Sequence, residues 1–254
     1  MGAGHSHPLH VHGHSVLHRM APEAKLVAAF GFVVAVALTP REAFWVHALD
    51  ALALVAVARL GRVPARFVLT RAAVVLPFVV FALLLPFIAD GERTTVLGVS
   101  VAVEGLWGTW QVLSRALLGV TTSVLLAATT EVPDILTGFK RLRAPAVLTQ
   151  IAAFMLRYLE VVAGELGRMR TAMTARGYDP RWLWQAKPIA ASAGALFIRS
   201  YERGERVHAA MQARGFTGQM PELRGGAATT ADWTRAAVLP LVALAGAVAG
   251  LLLT

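Results

Sequence analysis

Unbroken apolar runs, separated by short clusters of Arg, Pro, Gly and acid, fill the first half of the chain and its C-terminal end. The first run is Lys25–Thr39 (KLVAAFGFVVAVALT). At about 15 residues it gives ~22 Å of helix against a hydrocarbon core of ~30 Å. Local thinning of the bilayer, or snorkelling by Lys25, covers that gap. Pro40-Arg41-Glu42 makes a tight turn. The second run, Ala43–Leu60, is interrupted by His47 and Asp50. The third, Phe67–Ala89, contains Pro77 and Pro86, which are expected to kink it. The fourth, Leu106–Thr130, carries Gln111, Ser114 and Arg115 near its start, and Ala236–Leu253 is the last. This pattern predicts an all-α integral membrane protein with about five transmembrane helices. It divides into a His-rich tail (1–22), a four-helix membrane region (23–130), an inserted region of long amphipathic helices (131–224), and a linker with a C-terminal span (225–254). A sixth span in 144–163 or 186–198 ranks lower, because Arg157 and Glu160 would sit in lipid at a cost of a few kcal/mol each.

Within the insert, Val132-Pro133-Asp134-Ile135-Leu136 opens a helix. Pro133 fits the first turn and Asp134 suits the positive end of the dipole. It should stop near Arg143, before Ala144-Pro145. A second helix starts at Pro145, with Leu148, Ile151, Ala152, Met155, Leu159, Val162 and Leu166 close to a 3.6-residue period, and ends near Gly177. A third runs from about Pro188 to Gly215. The ends of these two long helices match. Residues 168–178 (RMRTAMTARGY) and 206–216 (RVHAAMQARGF) share six identities and an aromatic pair at an offset of 38 residues. Gly177 and Gly215 can take the left-handed conformation that closes a helix, and Arg176 and Arg214 suit the negative end of the dipole. Ala172, Ala175, Ala210 and Ala213 let another surface approach closely. Arg presents a planar donor fork for carboxylates. One copy would be an ordinary helix end; two copies point to docking into grooves lined by acidic side chains.

Composition adds orientation. The net charge is +9, with 21 Arg to 3 Lys, and only 15% of residues are charged against 56% hydrophobic; the mean hydropathy is +0.59. The 59–71 loop carries Arg59, Arg62, Arg66 and Arg71 and no acid, whereas 90–104 carries Asp90, Glu92, Arg93 and Glu104. By the positive-inside rule, 59–71, the insert and the N-terminal tail are cytoplasmic, 90–104 lies outside, and the C-terminus ends outside. Because the basic residues flank apolar runs, lipid accounts for them and nucleic acid is not an expected partner. There is no cysteine, which excludes a disulfide scaffold, a zinc-thiolate finger, an iron–sulfur site and a cysteine enzyme. None of the three lysines stands in a G-x-x-x-x-G-K-[ST] loop, so any ATP must be hydrolysed by a partner. No hydrolase, zincin or kinase signature is present, and no catalytic residue is assigned.

The paired motifs Ala175-Arg176-Gly177 and Ala213-Arg214-Gly215 resemble those of the transmembrane T component of energy-coupling-factor (ECF) transporters, the EcfT/CbiQ family. Thr130-Glu131-Val132-Pro133-Asp134-Ile135-Leu136 resembles the start of that family's coupling helices. Leu17-His18-Arg19-Met20-Ala21-Pro22-Glu23-Ala24-Lys25-Leu26 is similar to its cobalt-transport CbiQ branch. The resemblance implies a cytoplasmic coupling region whose two Ala-Arg-Gly helix ends dock on two ATP-binding-cassette subunits. It also implies a substrate-binding membrane subunit (CbiM-like), a small accessory membrane subunit (CbiN-like), and residence in a bacterial or archaeal cytoplasmic membrane. The chain itself would bind no cofactor; Co2+ or Ni2+ would be the cargo of the complex, with a vitamin such as biotin as the alternative.

Two further features bear on that cargo. Six of the eight histidines lie in the N-terminal tail. His5, His7, His10, His12 and His14 have spacings compatible with a divalent metal but specifying no geometry. His47 and Asp50 share a helix face inside a span. They are read first as polar contacts to another helix or to the substrate-binding subunit, and second as a metal path. A self-sufficient secondary transporter with Asp50 and His47 as its ion site would need inverted repeats, and none is found. A scaffold without transport would leave the paired helix ends unexplained.

Overall fold

Pro22 and Thr39-Pro40 bracket the first long helix. Proline is tolerated in a first turn and stops a helix arriving from behind, so α2 runs Pro22–Leu38 after a single turn, α1 (Val16–Arg19). The computed structural model describes residues 15–96, 99–180, 182–218 and 226–253. α3 (Phe44–Leu60) follows and ends at Gly61. The third apolar run is split into α4 (Ala65–Ala72), a 3-10 turn (Ala73–Val75) and α5 (Leu76–Ile88). Its break falls just ahead of Pro77, which has no N–H to give and whose ring excludes a regular turn before it. Pro86 is instead held inside α5.

The acidic loop expected at 90–104 carries an antiparallel hairpin, β1 (Arg93–Val96) and β2 (Val99–Ala102), paired Arg93↔Ala102 through Val96↔Val99. α6 (Val103–Thr129), α7 (Val132–Arg141), α8 (Ala146–Ala175), α9 (Lys187–Ala213) and α10 (Thr230–Leu253) complete the chain. α10 starts earlier than its apolar run. Thr229 and Asp232 cap it reciprocally: the Thr229 N–H donates to Asp232 Oδ2 (3.0 Å) and the Asp232 N–H to Thr229 Oγ1 (3.2 Å).

The chain is an all-α membrane protein apart from that hairpin. Among the described residues four helices are, by length and composition, long and apolar enough to cross a membrane: Ala65–Ile88, Val103–Thr129, Ala146–Ala175 and Thr230–Leu253. Three of the five apolar runs of the sequence are among them. α2 and α3 have 17 residues each, at the short end of the range that spans a bilayer. α8 qualifies by composition, on the strength of the apolar stripe that the periodicity identified. Lys25 does not snorkel. It is buried, and Nζ donates to the Thr129 carbonyl (2.9 Å) and to Thr130 Oγ1 (3.3 Å).

By its packing the chain divides into two units, Met1–Leu142 with Arg224–Thr254, and Arg143–Leu223. The first has a core of Phe32, Ala35, Val36, Leu54, Val63, Leu118, Leu125, Ala128 and Ala243. α7, placed by sequence with the insert, falls in this unit, because Gly138 lets it lie on the start of α2. A Cβ at Gly138 would meet Leu26 Cδ1 at 2.7 Å and the Glu23 nitrogen at 3.1 Å.

Candidate functional site

The matched sequences at the ends of α8 and α9 form the same structure twice. Arg176 and Arg214 are the C-cap residues (φ −88° and −95°), and Gly177 and Gly215 follow in the left-handed region at φ +76° and +80°. The Gly177 N–H donates to the Thr174 carbonyl (2.9 Å) and the Tyr178 N–H to the Met173 carbonyl (3.1 Å). At the second end Gly215 donates to Gln212 and Phe216 to Met211, both at 3.0 Å. These crossed bonds are Schellman closures. They explain which residues repeat: methionine three positions before the cap, glycine after it, and an aromatic next. The methionine and the aromatic are half-buried in both copies, while Ala172, Ala175, Ala210 and Ala213 are exposed. No atom lies within 4 Å of a Cβ built on either glycine, so it is the positive φ, and not space within the chain, that requires glycine there.

The guanidinium groups of Arg176 and Arg214 stand exposed, with no hydrogen bond or ion pair among the described residues. Each tip therefore presents a fixed backbone, small flanking side chains and an unspent donor fork.

α8 and α9 run antiparallel. Ser192 Oγ, early in α9, lies 3.4 Å from Met173 Sδ, late in α8, and Gln150 Nε2, early in α8, donates to the Gly218 carbonyl beyond the end of α9 (2.6 Å). The two tips thus lie at opposite ends of the pair, roughly 35 Å apart at 1.5 Å per residue. Between them sits Glu165, which sequence reasoning missed. It is buried, and accepts from Arg199 Nη1 on Oε1 (3.0 Å) and from Arg203 Nη2 on Oε2 (3.3 Å). One of two Glu in an amphipathic helix, Glu165 carries no signal of burial until the partner helix is placed.

The first unit joins the two other segments on which the family resemblance rests. Glu23, buried at the start of α2, accepts from Arg141 Nη1 at the end of α7 (3.3 Å to each oxygen) and from the Ala228 N–H ahead of α10 (2.7 Å). Arg141 Nη1 also donates to the Gly226 carbonyl (2.6 Å). With Lys25 on Thr129 and Thr130, this locks the start of α2 to the α6–α7 connection. These contacts bridge 85 residues or more and have no local pattern.

His47 and Asp50 are both buried. The expected contact to another helix takes a different form. His47 Nδ1 lies 3.2 Å from the Ala43 carbonyl of its own helix start, its ring sits edge-on to Trp110 at 5.8 Å, and neither Asp50 oxygen has a hydrogen-bond partner. Among the described residues no group of three or more His, Asp or Glu gathers to hold a metal. His5, His7, His10, His12 and His14 lie outside the described residues.

Residues 13–223 match the family model for CbiQ, described as a cobalt transport protein. The cobalt transport protein CbiQ of Rhodobacter capsulatus is 31% identical over 188 residues, covering 72% of this chain and 69% of that protein. The energy-coupling factor transporter transmembrane protein EcfT of Thermosediminibacter oceani is 27% identical over 223 residues, 82% of this chain and 83% of its own. A putative fused cobalt transport protein CbiMQ of Methanocorpusculum labreanum is 30% identical over 116 residues, 45% of this chain and 19% of that longer protein.

Proposed function

The chain belongs to the CbiQ family of cobalt transport proteins, and we propose that it is the T component of an ECF-type importer. In this reading it transmits the motion of two ATP-binding-cassette subunits to a substrate-binding membrane subunit, with Co2+ or Ni2+ as cargo. The observation that carries the reading is the pair of matching helix closures at opposite ends of one helix pair, each presenting beside exposed alanines an arginine with no ion pair among the described residues. Two equal tips suit two equal receptors. A groove lined by carboxylates would accept the guanidinium fork, and the alanines would let its walls close on the helix.

ATP is hydrolysed by the partners; this chain contributes no catalytic group and holds no cofactor. When the ATPases close, the tips move with them, and α8 and α9 carry that displacement to the membrane unit and its substrate-binding partner. On this reading the α8–α9 pair is cytoplasmic, and the apolar stripe of α8 is a contact face. Sequence similarity to a fused CbiMQ chain supports a CbiM-like protein as the substrate-binding partner, and a small CbiN-like subunit would accompany it. The His-rich tail, with His5 to His14, would collect the metal as an accessory.

The test is co-purification of the ATPases together with uptake of Co2+ and Ni2+. Arg176→Glu and Arg214→Glu singly should weaken docking ten-fold or more, since losing one partner of a buried charge pair costs about 2–5 kcal/mol. Each should be worse than the corresponding Ala, because Glu adds repulsion. Two docking points supply avidity, so one change uncouples before it dissociates, and the double change should release the ATPases. A stable complex with parental uptake in Arg176→Glu/Arg214→Glu would refute the assignment. Uptake of biotin in place of metal would keep the coupling role and replace the cargo.

A further inference from the structure

We propose that Glu165 is the positioning residue that sets the two docking tips relative to each other. This rests on the reading of α8 and α9 as the coupling pair. Four observations converge on it. Glu165 is the one charged residue among the buried positions of α8, and α9 has no buried residue at all. Its two oxygens are taken by two arginines one helical turn apart, Arg199 and Arg203, so a single carboxylate holds two points of the facing helix. Arg168, one turn further along α8, adds a third positive charge beside it. Finally, Glu165 and Arg203 are separated by 38 residues, which is the offset of the duplicated helix ends.

That last coincidence has a geometric meaning. Glu165 precedes Arg176 by the same number of residues as Arg203 precedes Arg214. In two antiparallel helices related by an approximate two-fold axis, equivalent residues meet where the axis passes. The Glu165–Arg203 pair therefore marks the centre of the α8–α9 pair, and each tip extends from it by eleven residues, about 16 Å of helix. A change of the crossing angle there displaces both tips by equal amounts and changes the distance between them.

The chemistry makes this point sensitive. Among the described residues α8 and α9 fully bury no large apolar side chain, and the ion pairs of Glu165 fasten the two helices at this point. Replacing Glu165 with Gln keeps the shape but removes the negative charge, leaving Arg199, Arg203 and Arg168 to repel one another. The helices themselves have no reason to melt, since neither their ends nor their backbone bonds involve Glu165. The tips keep their closures and can still dock, but their separation is no longer fixed.

The experiment compares four full-length forms: the parent, Glu165→Gln, the exchange Glu165→Arg/Arg203→Glu, and Arg176→Glu/Arg214→Glu. The chain has no cysteine, so Thr174→Cys and Gln212→Cys, both exposed and equivalent in the repeat, accept spin labels specifically. The tip-to-tip distance distribution of the purified chain is measured, then metal uptake and ATP hydrolysis of the assembled complex. The parent should give one narrow distance. Glu165→Gln should broaden it and lower uptake about ten-fold or more, with the ATPases still bound and active. The exchange should narrow the distribution again and restore most of the uptake. An unchanged distance in Glu165→Gln overturns the proposal, and so does a loss that the exchange fails to repair, which would mark a merely structural residue. Parental uptake in the double tip variant would instead remove the coupling reading, and the distance measurement would still decide whether Glu165 sets the pair.

Discussion

In the first unit the helices meet through glycine and buried aliphatic side chains. A Cβ on Gly105 of α6 would lie 2.5 Å from Pro86 Cα of α5, one on Gly246 of α10 3.0 Å from Val46 of α3, and one on Gly250 3.0 Å from Ala43 Cβ. Without a hydrophobic drive between helices in lipid, such close approach is what dispersion and backbone proximity demand. In the second unit, α8 buries Thr149 and Glu165, α9 buries nothing, and every glycine of the two helices has open space or a flexible side-chain end around it. Leu148, Ile151, Met155, Leu159, Phe197 and Ile198 remain exposed. One unit is packed against itself. The other leaves its apolar stripe exposed and is joined by polar contacts, with the Glu165 ion pairs near its middle.

That contrast can be broken by substitution. Gly105→Ala should be the most damaging single methyl in the molecule. It drives a Cβ into backbone that cannot yield, and a loss of about 3 kcal/mol or more is expected, read as a lowered midpoint of unfolding in a detergent titration. Glu23→Ala leaves Arg141 without its buried carboxylate and frees the Ala228 N–H. Breaking a buried pair in this way costs about 3–5 kcal/mol, and the same titration should place it level with Gly105→Ala. If either variant unfolds like the parent, the first unit is not held by the contacts described.

Gly177→Ala and Gly215→Ala probe the second unit, where sterics are absent and only the positive φ resists. Each should cost about 1–2 kcal/mol and fray the last turn of its helix, seen as faster amide exchange at Tyr178 or Phe216. Equal losses in the two would sharpen the case that the ends are one motif used twice. Glu202→Ala removes the exposed pair with Arg206, 3.9 Å apart. It should shift stability by no more than about 0.5 kcal/mol, in contrast with the buried Glu165 nearby.

The local features were readable in order. The bounds of α7, α8 and α9, the closures at Gly177 and Gly215, and the proline-started helices follow from signals carried within a few residues: periodicity, a capping glycine, a missing N–H. The hairpin at 93–102 escaped because its four-residue strands, rich in Thr and Val, are too short to stand out beside the spans. Pro77 and Pro86 give the same sequence signal, but regular α-helix breaks just ahead of Pro77 whereas Pro86 stays inside α5.

The sequence by itself determined that this is a helical membrane protein and that two helix ends are copies of one another. Each of these depends on hydropathy, charge or dihedral preference along a continuous stretch. Only the tertiary structure decided that Lys25 turns inward to Thr129 and Thr130, that Glu23 joins the starts of α2 and α10 to α7, and that Glu165 meets Arg203 at the centre of the α8–α9 pair. A charged residue looks the same in sequence whether it faces water or a buried partner. The partner, distant along the chain and brought close only by packing, makes the difference.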